Sequence, residues 1–144
     1  MTVTAVDTSV VVAALLAWHE FHEPALKSLI DARRGRLVLS VPALTEAYAV
    51  MTRLPAPHRL APADACKLLS GSFEPRATVV GLTEKETWRF LHGTARQGVA
   101  GGTTYDALIL ACAHKARASR LLTLDRRDFL RIEAGEIEIV VPGA

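Results

Sequence analysis

Four carboxylates, Asp7, Glu46, Asp106 and Asp125, lie far apart along the chain, and each adjoins an apolar run. Asp7 closes Val3-Thr4-Ala5-Val6, and Glu46 lies within Val41-Pro42-Ala43-Leu44-Thr45-Glu46-Ala47. Asp106 opens Ala107-Leu108-Ile109-Leu110-Ala111, and Asp125 follows Leu121-Leu122-Thr123-Leu124. A carboxylate set against apolar neighbours is expensive unless opposite charge compensates it, and oxygen-only donors favour hard divalent cations such as Mg²⁺ or Mn²⁺. Two like charges about 4 Å apart repel by about 4 kcal/mol at an effective dielectric of 20, a repulsion that such an ion turns into attraction. The chemistry implied is phosphodiester hydrolysis, with one ion activating water and a second stabilising the departing 3′-oxygen. Thr8, Ser9, Thr104 and Thr123 are hydroxyls placed to hold waters or phosphate oxygens, or to cap helices. The spacing is not itself a metal motif, because acids in first helical turns also stabilise the helix dipole.

Positioning these groups requires strands and helices in alternation. Val3–Val6 reads as a buried strand, followed by a helix from Ser9 to Leu16 that Asp7, Thr8 or Ser9 caps. Glu23 to Ala32 continues helically until Gly35, and Leu37–Val41 forms the second strand. Pro42 opens a helix reaching about Arg53, and Ala61 to Ser70 forms another that Gly71 terminates. Ala77–Val80 is a short strand, and Thr83 with Glu86 forms a capping box for a helix through His92 or further. Gly98–Gly102 makes a turn, and Thr103 or Thr104 caps the helix bearing Asp106. Leu121–Leu124 and Ile137–Val141 supply the remaining strands. This order predicts an α/β fold, with a mostly parallel sheet between helical layers and ligands bound at the strands' carboxyl ends.

The 144 residues suit one domain spanning 1–144, and half of them are hydrophobic. The apolar run Ser9–Trp18 is too short to cross a bilayer and lacks the flanks of a secretion signal. Cys66 and Cys112 form no CxxC or disulfide framework, which fits the cytoplasm, with both thiols in the core. The net charge is +2, yet Lys115, Arg117, Arg120, Arg126, Arg127 and Arg131 cluster late in the chain, with Arg33, Arg34 and Arg36 as a second group. Beside an acidic pocket these would suit a polyanion; otherwise they are solvated surface. His19, His22, His58, His92 and His114 show no zinc-like set and read as surface or partly packed groups. No Gly-x-Ser-x-Gly or Walker pattern is present. Trp18, Phe21 and Trp88 offer stacking platforms for bases, although packing against the core or a partner is the expected role of Trp18 and Phe21.

Four local motifs resemble those of PIN-domain ribonucleases. They are Val6-Asp7-Thr8-Ser9-Val10, Pro42-Ala43-Leu44-Thr45-Glu46, Gly101-Gly102-Thr103-Thr104-Tyr105-Asp106-Ala107-Leu108-Ile109 and Leu122-Thr123-Leu124-Asp125-Arg126-Arg127-Asp128-Phe129. Their order and spacing extend the resemblance over nearly the whole chain, and it is strongest to VapC toxins of toxin–antitoxin pairs. The resemblance implies a three-layer α/β/α PIN-like domain and a Mg²⁺- or Mn²⁺-dependent endoribonuclease. It further implies a homodimer acting on tRNA or rRNA, silenced by a VapB-like antitoxin and meeting DNA only through that antitoxin. Asp7, Glu46, Asp106 and Asp125 become the catalytic, metal-site acids. Asp128 either joins the metal through water or fixes its loop by backbone hydrogen bonds, the latter being favoured. The alternatives are an inert PIN-like binding module acting with its partner at DNA, and a general nuclease.

Overall fold

A computed structural model of the chain describes residues 1–132 and 134–144. In chain order the elements are β1 (Val3–Val6), α1 (Thr8–Leu15), α2 (His22–Ala32), β2 (Arg36–Ser40), α3 (Val41–Thr52) and α4 (Pro62–Phe73). These are followed by β3 (Ala77–Val80), α5 (Glu84–Gln97), α6 (Thr103–Lys115), β4 (Arg120–Leu122), α7 (Arg126–Leu130) and β5 (Glu138–Val140). The five strands form one sheet in the order β3-β2-β1-β4-β5. Every pairing is parallel, so the mostly parallel expectation sharpens to an all-parallel sheet among the described residues.

The strand order records a change of direction. From β1 the chain steps outward through β2 to β3, then crosses back to β4 on the other side of β1. Right-handed crossovers therefore place the helices before and after the return on opposite faces. The packing agrees: α1 contacts α2 and α3, and α3 contacts α4, while α6 contacts α5 and α7. The result is a three-layer α/β/α architecture. The crevice between the carboxyl ends of β1 and β4 is where ligands bind in such sheets.

The central strands read as continuous apolar runs because both faces are covered: Ala5, Val6, Leu37, Val38 and Leu39 are buried. The edge strand β3 is largely exposed, with Val79 on the surface. Helix α1 has no polar stripe, since Val10, Val11, Val12, Ala13 and Ala14 are all buried. Burial thus outweighs the weak helix preference of its β-branched residues. Ser40 caps α3 by accepting from the Ala43 N–H at 3.1 Å, with Pro42 in the first turn. At α5 the Thr83 hydroxyl accepts from the Glu86 N–H at 3.2 Å, and the Thr83 N–H donates to Glu86 Oε1 at 2.8 Å. Gly98 ends that helix at φ 74°, a left-handed conformation that favours glycine.

Several expectations are corrected. Val41 opens α3 instead of ending β2, whereas α5, expected through His92 or further, does run further, to Gln97. Helix α4 continues through Gly71 to Phe73, because Leu69 and Phe73 share its buried face. Strand β4 stops at Leu122, since the Leu124 N–H bonds Ser9 Oγ and not a neighbouring strand. Neither Thr103 nor Thr104 caps α6; both lie inside it, after Gly102. Cys112 is buried but Cys66 is exposed, so only one thiol is a core residue. Among the described residues, no helix is long and apolar enough to cross a membrane.

Candidate active site

All five candidate acids, Asp7, Glu46, Asp106, Asp125 and Asp128, line one open cleft of about 490 Å³ at the carboxyl edge of the sheet. Asp7 follows β1, and Asp125 follows β4, the adjacent strand. Asp106 occupies the first turn of α6, whereas Glu46 lies in the second turn of α3. Asp125 supplies the N-cap position of the five-residue α7, which carries Asp128 one turn further. Thus two strand ends and three helices converge on one volume.

The geometry is most tightly specified around Asp7. Its backbone occupies the N-cap position of α1, but its side chain makes no capping bond. Instead Oδ2 accepts from the Ser9 hydroxyl and the Thr123 hydroxyl, both at 2.8 Å. Those hydroxyls in turn accept the N–H groups of Leu124 and Asp125, each at 3.0 Å. A 2.8 Å bond from the Asp7 N–H to the Leu122 carbonyl completes the link. The Asp7 carboxylate and the loop carrying Asp125 are therefore one hydrogen-bonded unit. Ser9 and Thr123 serve the carboxylate, and the buried Thr8 hydroxyl has no partner among the described residues.

Electrostatics define the character of the cleft. Burial pushes the Asp7 carboxyl above its usual range against the pull of the Thr123 and Ser9 hydroxyls, and the charge of Asp125 adds to the rise. Asp106 is pushed up to about 6, first by burial and then by the charges of Asp7, Asp128, Glu46 and Asp125. Asp125 is raised by burial and by Asp128. Among the described residues, no lysine or arginine lines the cleft. Among the described residues the single ion pair, Lys115 to Glu86, lies elsewhere. A buried carboxylate surrounded by four others without a cationic partner is a donor set suited to a hard divalent cation. No three described acids, histidines or cysteines already close on a common point. Side-chain movement or water would have to complete the coordination.

Asp128 stands at the rim of the same cleft. Its N–H bonds the Asp125 carbonyl at 3.0 Å, and among the described residues no loop hydrogen bond involves its carboxylate, which lines the cleft. The basic groups are also redistributed. Lys115 ends α6 and donates to the Gly81 carbonyl just after β3, whereas Arg33, Arg34 and Arg36 lie just before or at the start of β2, and Arg117 and Arg120 just before or at the start of β4. In a parallel sheet this is the amino edge, opposite the acids. Arg126 and Arg127, exposed at the start of α7, remain beside the cleft.

Of the lining residues outside the motifs, two carry rings: His19 and Phe21, from the turn between α1 and α2. The available signal was the ring-rich segment Trp18-His19-Glu20-Phe21-His22, unusual for a loop. Trp18 and Phe21 do not pack into the core; they are 48% and 44% exposed.

This fold and this acid-lined switch point define a family. The PIN domain family model matches residues 4–135, and the chain belongs to the PIN-domain family. Ribonuclease VapC40 of Mycobacterium tuberculosis is 38% identical over 139 residues, covering 92% of this chain and 94% of that protein. Ribonuclease VapC27 of the same species is 36% identical over 137 residues, covering 95% of each. Among solved structures, VapBC2 from Rickettsia felis bound to a promoter DNA fragment superposes with a TM-score of 0.68. It is 18% identical, and the match covers 96% of this chain and 99% of that one.

Proposed function

We propose that this chain is a divalent-metal-dependent endoribonuclease, the toxin of a toxin–antitoxin pair. It hydrolyses phosphodiester bonds in tRNA or rRNA and is held inactive by a VapB-like antitoxin. The observation that carries the reading is the convergence of five carboxylates, without a lysine or arginine, at the switch point of the sheet. The ribonuclease names of relatives at 36–38% identity support the reaction class. The DNA-bound VapBC complex on the same fold supports an antitoxin partner and contact with DNA through it, and a homodimer is part of the proposal.

In this reading Asp7, Glu46, Asp106 and Asp125 would hold the cation, Mg²⁺ or Mn²⁺, with Asp128 as an additional acid of the site. When bound, the ion supplies a nucleophilic water near neutral pH and positive charge for the phosphate. Ser9 and Thr123 fix the Asp7 carboxylate through Oδ2, and that carboxylate would help hold the ion. The Thr123–Asp125 bond keeps the second strand-end acid in step with the first. Exposed Arg126 and Arg127 attract the RNA backbone to the rim.

The test is cleavage of RNA and of DNA of matching sequence, with and without Mg²⁺ or Mn²⁺, by the wild type, Asp7→Asn and Asp106→Asn. The expected result is metal-dependent RNA cleavage by the wild type alone. Cutting by both folded variants would overturn the site assignment. Preferential DNA cleavage would replace the RNA substrate, and a wild type inert on both would favour a binding module.

A further inference from the structure

Four aromatic rings run from the loop after α3 towards the acidic cleft. The His58 and Trp18 rings stack at a centroid separation of 4.0 Å and an interplanar angle of 26°. Trp18 and His19 follow at 5.9 Å, and His19 and Phe21 at 6.1 Å. His19 and Phe21 line the cleft beside the acids. The track is therefore continuous with the candidate active site.

The turn bearing these rings is pre-organised. The His19 N–H bonds the Leu16 carbonyl at 2.9 Å, and the His22 N–H bonds the His19 carbonyl at 3.1 Å. The Phe21 N–H donates to His19 Nδ1 at 3.1 Å, which orients the imidazole and leaves its proton on Nε2. His22 Nδ1 lies 2.9 Å from the Ala13 carbonyl and ties the turn back to α1. Rings held this firmly present faces to a ligand with little further loss of conformational freedom. Arg53 and Arg59 lie exposed at the ends of the loop that carries His58, so the outer end of the track is cationic where the inner end is anionic. That polarity suits a strand whose backbone meets the arginines at one end and reaches the acids only with a cation.

We infer that the track is a base-stacking subsite, with Phe21 and Trp18 receiving unpaired bases beside the phosphate to be cleaved. It rests on the ribonuclease reading and makes it more specific. Stacking on an aromatic side chain requires an unstacked base, so the subsite selects single-stranded or looped segments over continuous duplex. Phe21 and Trp18 act here as positioning residues, and neither touches the reacting atoms.

The chain has two tryptophans, so Trp88→Phe leaves Trp18 as the only indole reporter. In a Trp88→Phe, Asp106→Asn protein with Mg²⁺, a fluorescein-labelled single-stranded RNA decamer is titrated beside its blunt duplex. Anisotropy and indole emission are followed in parallel. The expected result is quenching of Trp18 with the same Kd as the anisotropy, for the single strand and not the duplex. Phe21→Leu and Trp18→Leu should each weaken that Kd about tenfold, and Phe21→Tyr should restore it. Both side chains are partly exposed, so unchanged melting curves will separate loss of stacking from loss of fold. RNA binding that leaves the indole emission and the Phe21→Leu affinity unchanged would overturn the subsite while sparing the ribonuclease reading. A folded protein that binds neither RNA in this assay, and whose wild-type form cuts none, would overturn both.

Discussion

Replacing Asp106 by Asn should make the metal-free protein more stable at neutral pH, although the residue belongs to the candidate active site. The Asp106 carboxyl titrates at about 6 against an ordinary 3.8, with burial the largest cause and four carboxylates adding to it. Undiscounted, that difference corresponds to about 3 kcal/mol. The side chain is only partly buried, so solvent screening reduces the expected value to about 1 kcal/mol. The sign follows from the direction of the shift. A folded state that binds the proton more tightly than the unfolded chain is favoured below about pH 4. That advantage disappears as pH rises through about 6. In EDTA at pH 7.5, Asp106→Asn should therefore gain about 1 kcal/mol, or about 3 °C in Tm. The gain should vanish near pH 4. Adding Mg²⁺ should reverse the order, because the ion stabilises the wild type more than the variant. Chemical denaturation at both pH values, with and without Mg²⁺, provides the assay. A variant no more stable than the wild type at pH 7.5 without metal, or a difference independent of pH, would refute the reasoning.

Three further outcomes follow from the same structure. Thr123→Val removes a 2.8 Å donor from the buried Asp7 carboxylate and should cost about 1–3 kcal/mol at pH 7.5 in urea denaturation. The cost should shrink as Asp7 protonates, and an equal cost at pH 4 would contradict the assigned hydrogen bond. Lys115→Met removes the 2.6 Å contact that holds Glu86 down at about 2. Its melting temperature should fall below the wild type's at pH 7, and the gap should close only as pH drops from about 4.5 towards 2. Ser40→Ala deletes the cap of α3, the helix that carries Glu46, and should cost about 1 kcal/mol in the same denaturation assay. No measurable loss would show that this bond does not hold the helix start.

The parts of the fold legible in sequence were those fixed by local chemistry. Apolar runs mark β1 and β2, Pro42 marks the start of α3, and the Thr83–Glu86 pair marks that of α5. The acids were visible because each sits in a distinctive local motif, but their convergence depends on the strand order. The same order explains what was missed. Arg36 and Arg120 look neighbourly to the acids along the chain, yet parallel pairing places them at the opposite edge. Thr123 reads as strand because its neighbours are apolar, whereas its hydroxyl serves Asp7 across a sequence separation of 116 residues. His19 and Phe21 reach the cleft only because the eight-residue α1 ends in a turn packed back against it. No periodicity in the sequence reports such a turn.

The most direct test of the central claim is the chemistry of the ends left on cleaved RNA. Wild-type protein with Mg²⁺ or Mn²⁺ is incubated with total cellular RNA, and the termini are mapped beside an Asp106→Asn control. Water attacking phosphorus with departure of the 3′-oxygen leaves 3′-hydroxyl and 5′-phosphate ends. The carboxylate site predicts discrete fragments with those ends, lost on chelation and absent with Asp106→Asn. Fragments ending in 2′,3′-cyclic phosphate, or persisting in EDTA, would contradict it.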